Sequence, residues 1–146
     1  MTDPENLKWQ FDELLKTLII MSLPFELQRN AYDEGATADE MLEDFHSYYT
    51  LKKNRYREGK LIDERSILVL DKIERLTDTW SQEKEQEFWF EMDQYENEWN
   101  VLREMAKGAM ITLKKEHLNI EVKHDNELNE KGDIVVQRTH TILKAR

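Results

Sequence analysis

The chain has 146 residues, 39% hydrophobic and 36% charged, with 31 acids against 21 bases for a net charge of −10. At this length roughly 68–70% of the unfolded surface is buried on folding, enough for one domain with a substantial core, and the aromatic content supplies bulky material for it. The absence of Cys excludes a disulfide framework, thiolate zinc sites and a cysteine nucleophile, and points to a reducing, cytoplasmic setting.

The chain opens MTDPENLKWQFDE, acidic where a secretory leader needs bases. Lys16 and Thr17 interrupt the apolar run Leu14 to Leu23, so neither export nor a membrane span is expected. Asp3 and Pro4 read as a cap and first helical position. Leu7, Phe11, Leu14, Leu18 and Met21 then step by four and three, so a first helix is predicted from about Pro4 to Met21. Pro24 disfavours its continuation. A short helical piece comes next, around Phe25 to Ala31, and Gly35 marks a loop.

Thr37 with Glu40 three places on has the capping-box pattern. The second helix therefore starts there and runs to about Arg57, burying Leu42, Phe45, Tyr49 and Tyr56, with Gly59 as its stop. A third begins at about Asp63 and presents Ile62, Ser66, Val69, Ile73, Leu76 and Trp80, with Ser81 placed to cap the fourth. The fourth is the clearest: Phe88, Met92, Tyr95, Trp99, Leu102, Ala106, Ala109 and Leu113 form one seam. If unbroken it spans roughly 50 Å to about Lys115. Gly108 is its weak point, marking a close helix crossing, a kink or an end.

Beyond residue 117 the pattern changes period. Ile120 and Val122 alternate with charged residues, and Ile134 to Ile142 alternate again across a polar stretch from Asp125 to Gly132. This predicts a β-hairpin or extended tail, and an isolated hairpin is marginal in water, so it must lie on the helices or pair with another chain. The expected fold is a single, mainly α domain: an antiparallel bundle of about four helices over 1–117, with the hairpin over 118–146.

Candidate chemistry is sparse. Glu43-x-x-His46 has the spacing of a metal pair on one helical face, but the predicted seams of helices one and three are apolar and offer no further inward carboxylates. Its second copy, Glu121-x-x-His124, falls in a strand, where positions three apart face opposite ways. The serines lack a Gly elbow, and the four His show no triad spacing. The glycines at 35, 59, 108 and 132 form no phosphate loop. No catalytic, cofactor-binding or metal residue is assigned.

Two surface patterns stand out. Lys52, Lys53, Arg55, Arg57 and Lys60 are interleaved with tyrosines, as a phosphate backbone would require. A helix C-terminus also favours such cations, and the overall charge opposes nucleic acid, so pairing with acids inside the fold or across a dimer is the expected use. The second pattern is acidic. Trp89 and Phe90 stand off the seam among Glu87, Glu91, Asp93 and Glu98, an aromatic spot ringed by negative charge.

These six residues are the predicted contact for a basic protein partner. The expected role is non-catalytic binding that neutralises or chaperones that partner, as acidic immunity proteins and antitoxins do; the likeness is one of charge and size, and no motif ties the chain to a family. Two further classes are compatible with the sequence: a homo-oligomeric structural or adaptor protein, including a homodimer, and a carboxylate-rich metal-binding helical bundle enzyme.

Overall fold

The computed structural model describes residues 3–32 and 37–146, and of 126–127 and 134–138 the backbone alone. The loop expected at Gly35 lies outside the described residues. The chain is mainly helical and ends in a two-stranded antiparallel sheet.

Helix α1 (Asp3–Met21) matches the first predicted helix and becomes the centre of the fold. Leu15, Thr17, Ile19 and Ile20 are buried in addition to the predicted stripe, so its C-terminal half is covered on every side. Thr17 is accommodated there because its hydroxyl donates to the Glu13 carbonyl at 2.9 Å. Pro24 leads into the short α2 (Phe25–Asn30).

The second predicted helix is divided. It comprises α3 (Thr37–Phe45), a π-helical turn (His46–Thr50) and α4 (Lys53–Glu58). In the π turn the Leu51 N–H donates to the His46 carbonyl five residues back. Phe45, Tyr49 and Tyr56 stay buried across the division. The stop after α4 is made by Lys60, at φ 60°, and not by a left-handed Gly59. Gly59 answers a different need: a Cβ there would meet the Leu7 side chain of α1 at 2.8 Å.

Helix α5 (Glu64–Glu83) starts where expected, with Asp63 Oδ1 accepting from the Ser66 N–H at 2.8 Å. It runs through Ser81, whose hydroxyl donates to the Thr77 carbonyl and caps nothing beyond.

The fourth predicted helix is broken into α6 (Gln86–Phe90), a 3₁₀ turn (Met92–Tyr95) and α7 (Glu96–Thr112). Glu91 (φ −109°, ψ 53°) and Tyr95 (φ −119°, ψ 38°) leave helical geometry at the two joints. The seam survives, since Phe88, Met92, Trp99, Leu102, Ala106 and Ala109 are all buried. Gly108 neither kinks nor ends α7, and no side chain among the described residues approaches it: an added Cβ would meet none of them within 4 Å.

Strands β1 (Leu118–Leu128) and β2 (Ile134–Ala145) pair with Leu118 opposite Ala145 and Ile120 opposite Leu143, and the register shifts between Glu127 and Leu128. The turn is held by Asn129, whose Oδ1 accepts from the Lys131 and Asp133 N–H groups, with Gly132 at φ 84°. The base of the hairpin lies on the helices: Ile120 is buried, and Leu118, Val122 and Leu143 pack against the core. Helix α1 packs against α3, α7 and both strands, and α5 packs against α7. Among the described residues no helix is long and apolar enough to cross a membrane.

Candidate functional site

The break in the acidic segment decides how its side chains are presented. Residues 86–95 form two short turns between α5 and α7, and the aromatic residues of this stretch fold inward on one another. Phe88 stacks on Trp99 with centroids 4.9 Å apart and planes 14° apart, and Trp80 meets both rings edge-on. Trp89 packs edge-on against Phe88 at 5.3 Å and Trp99 at 6.0 Å. Lys84 closes the cluster, its Nζ lying 4.9 Å from the Phe88 centroid and 3.0 Å from a Glu98 carboxylate oxygen.

The six residues of the predicted partner site therefore fall into three groups. Trp89 is half-buried, with one face against the aromatic cluster. Phe90 is 55% exposed and projects to solvent, with Glu87, Glu91 and Asp93 exposed around the turns. Glu98, on α7, is ion-paired with Lys84. They do not share one helical face, because the joints at Glu91 and Tyr95 separate α6 from α7. Tyr95 has its hydroxyl pKa pushed up, by desolvation first and then by the neighbouring Glu87 carboxylate.

In front of Trp89 lies a cleft of about 400 Å³ between α3, the π turn, α5 and α6. Its apolar part is Trp89, Leu42 and Phe45. Its polar wall is Asp39 and Glu43 from α3, His46 from the π turn and Asp78 from α5, with hydroxyls of Thr50, Thr77 and Ser81. The Thr77 and Ser81 hydroxyls already donate to helix carbonyls, which leaves the carboxylates as the strong acceptors. No Lys or Arg lines the cleft among the described residues. A concave site of this size, with an aromatic wall facing three carboxylates, suits a cationic group that stacks on Trp89 while its N–H donors reach the acids.

Trp89 stands out in the sequence, but Asp39 and Asp78 do not: they come from helices almost 40 residues apart, and only tertiary contact between α3, α5 and α6 assembles them. Glu43 and His46, which have the spacing of a metal pair, both lie on the cleft wall. Among the described residues no group of three His, Asp or Glu side chains is placed to hold a metal ion. In the second Glu-x-x-His, the ring nitrogens of His124 lie 3.1 Å from Thr139 Oγ1 and 3.0 Å from Asn30 Oδ1, tying β1 to β2 and to α2.

Comparison with protein-family models, with curated proteins and with solved structures finds no match. The cleft is therefore interpreted from its own chemistry.

The basic run is partly spent inside the fold. Lys53 Nζ lies 3.2 Å from Asp71 and 3.6 Å from Glu74, and Arg57 Nε lies 3.0 Å from Glu64. The Tyr49 hydroxyl donates to the same Asp71 oxygen at 2.6 Å. Desolvation raises the Asp71 pKa, but the hydrogen bonds from Tyr49 and Lys53 and the Lys53 charge outweigh it, and the net direction is down. The same contacts, with burial leading, push the Tyr49 hydroxyl upward.

Proposed function

We propose that this chain is a non-catalytic binding module that captures a basic protein, and that the cleft beside Trp89 receives a lysine or arginine side chain of that partner. The observation that carries the reading is the pairing of a half-buried indole with Asp39, Glu43 and Asp78 around one concavity that, among the described residues, no Lys or Arg lines. Exposed Phe90 and the exposed carboxylates of Glu87, Glu91 and Asp93 follow Trp89 in the adjoining turns and add negative charge to this segment. Neutralising or chaperoning a cationic protein, as immunity proteins and antitoxins do, is the role that such a surface on a chain of net charge −10 serves best.

A labelled nona-arginine peptide is the direct probe. Trp89→Leu leaves the charge unchanged and removes the cation–π wall, so it is expected to weaken the peptide by about tenfold. Asp78→Asn is expected to weaken it by about fivefold, and Glu130→Asn, at the far hairpin turn, by much less. If Trp89→Leu binds like the unaltered protein and Asp78→Asn weakens binding no more than Glu130→Asn, attraction is a property of net charge alone and the cleft has no part in it.

A further inference from the structure

A second pocket, of about 420 Å³, lies where the end of α1, the last turns of α7 and the base of the hairpin meet. Of its lining residues, Ile19 and Met110 are buried, Leu23 and Leu118 are half-buried, and Ile111 is 60% exposed. The apolar lining is aliphatic. The chain has four Trp, five Tyr and five Phe, and none of them lines this pocket among the described residues, so it offers no ring for a planar ligand to stack on. Aliphatic walls with one adaptable Met suit an unbranched alkyl chain. At roughly 30 Å³ per heavy atom, the share of a water in the liquid, the space holds one chain of about ten carbons with its head group.

The charges on this pocket are the reverse of those on the Trp89 cleft. Lys107 and Arg146 line it with a single acid, Glu116, whereas the cleft is lined by Asp39, Glu43 and Asp78 and by no Lys or Arg among the described residues. Neither cation is needed to cap a helix. The Met21 and Leu23 carbonyls at the end of α1 accept from Gln28 and Arg103. In α7 the Gly108 carbonyl accepts from the Thr112 hydroxyl, and those of Ala109, Met110 and Ile111 accept from the N–H groups of Leu113, Lys115 and Lys114. Arg146 is anchored by its backbone N–H, which donates to the His117 carbonyl at 2.7 Å, and its guanidinium makes no ion pair among the described residues. Lys107 meets Glu104 at 3.2 Å, but both side chains are more than half exposed and water screens the pair. On a chain of net charge −10, two bases beside an aliphatic hollow form a local preference for an anionic head group.

We infer that this pocket binds a free medium-chain alkyl carboxylate, its chain on Ile19, Leu23, Met110, Ile111 and Leu118 and its carboxylate facing Lys107 and Arg146. Glu116 opposes the carboxylate and limits the affinity. The pocket shares no residue with the Trp89 cleft, so this binding is independent of the capture of a basic protein.

Calorimetry with decanoate is the direct test. A dissociation constant of about 10–100 µM is expected, which asks about 0.5 kcal/mol of each heavy atom. Octanoate should bind about three- to tenfold more weakly, since each methylene fully removed from water is worth roughly a factor of four. Arg146→Gln is expected to weaken decanoate by about three- to fivefold, and Glu116→Gln to strengthen it by about two- to threefold; neither should change the affinity for decanol, which has no charge to recognise. Ile111→Glu, at a position exposed enough to tolerate it, should weaken decanoate by more than tenfold, and Trp89→Leu should leave it unaltered. No heat with decanoate up to about 1 mM, or an affinity unmoved by Ile111→Glu, overturns the site. An affinity unmoved by both Arg146→Gln and Glu116→Gln overturns recognition of the carboxylate.

Discussion

Arg103 is buried to 5% exposure, and it holds the end of α1 in place. Its Nε donates to the Leu23 carbonyl at 2.9 Å across 80 residues of sequence, its Nη1 bonds Glu96, and its Nη2 has no partner among the described residues. Leu23 lies just beyond the last turn of α1, where carbonyls lack helical partners. Gln28 serves the adjacent Met21 carbonyl in the same way at 3.1 Å. Two contributions can be separated. Arg103→Met keeps most of the packing but removes a charged hydrogen bond to a part-buried carbonyl, about 2–3 kcal/mol. The Glu96 side chain is 58% exposed, so water screens its half of the ion pair; Glu96→Gln retains an acceptor and should cost less than about 1 kcal/mol. In thermal unfolding the first change corresponds to a fall of about 4–12 °C and the second to a few degrees at most. The double variant should be no less stable than Arg103→Met alone. If Glu96→Gln proves as damaging as Arg103→Met, the ion pair and not the carbonyl bond carries the contribution, and Arg103 is no cap for α1.

Local geometry sets two further outcomes. Gly108→Ala should stabilise the protein by about 0.5–1 kcal/mol in urea unfolding, because the added methyl meets nothing among the described residues and α7 gains helix propensity; a loss of stability would mean the helix is not regular there. Asp71 has a folded-state pKa held below its unfolded value, so its contribution is present above about pH 4 and lost as pH falls through the folded value. Unfolding of the protein and of Asp71→Asn, compared between pH 6 and pH 2.5, should show a difference that shrinks on acidification; a constant difference would remove the Lys53 and Tyr49 contacts as its cause.

Much of the fold is legible in the sequence because the periodic segments are long and their ends are marked. Helix α1, helix α5 with its Asp63 cap, and the hairpin all stand where spacing and cap residues place them. The joints at Glu91 and Tyr95 are not legible, and the reason is geometric. A 3₁₀ turn at three residues per turn keeps Met92 and Tyr95 in phase with Phe88 and Trp99, so the apolar spacing is the same whether or not the axis continues. No Gly or Pro marks the place. The π turn at His46–Thr50 is hidden for the same reason, since Phe45 and Tyr49 remain on the buried side. Gly108 errs in the other direction: it reads as a close crossing, a kink or an end, yet α7 passes through it, because glycine tolerates helical angles at an energetic disadvantage that one residue in a packed helix can bear. The cleft is half legible, Trp89 standing out by being off the seam while Asp39 and Asp78 have nothing local to distinguish them.

Charge and shape act at different ranges in the proposed capture, and that separates their effects. With 31 acids against 21 bases the chain carries a net charge of −10, so the field outside the molecule is negative regardless of internal pairing. Such a field accelerates encounter with any cationic protein and fades as salt rises over the Debye length. It does not choose between partners. Selectivity requires contacts formed only after docking, and under the proposed reading Trp89, with Asp39, Glu43 and Asp78 converging on one concavity, would supply them. For a cognate basic partner, reversal of Glu87 and Glu91 should therefore slow association in a salt-dependent way with little change in dissociation. Trp89→Leu should speed dissociation and leave the association rate and its salt dependence unchanged. A dissociation rate unchanged by Trp89→Leu would mean that the indole is not contacted in the complex and that capture is electrostatic throughout.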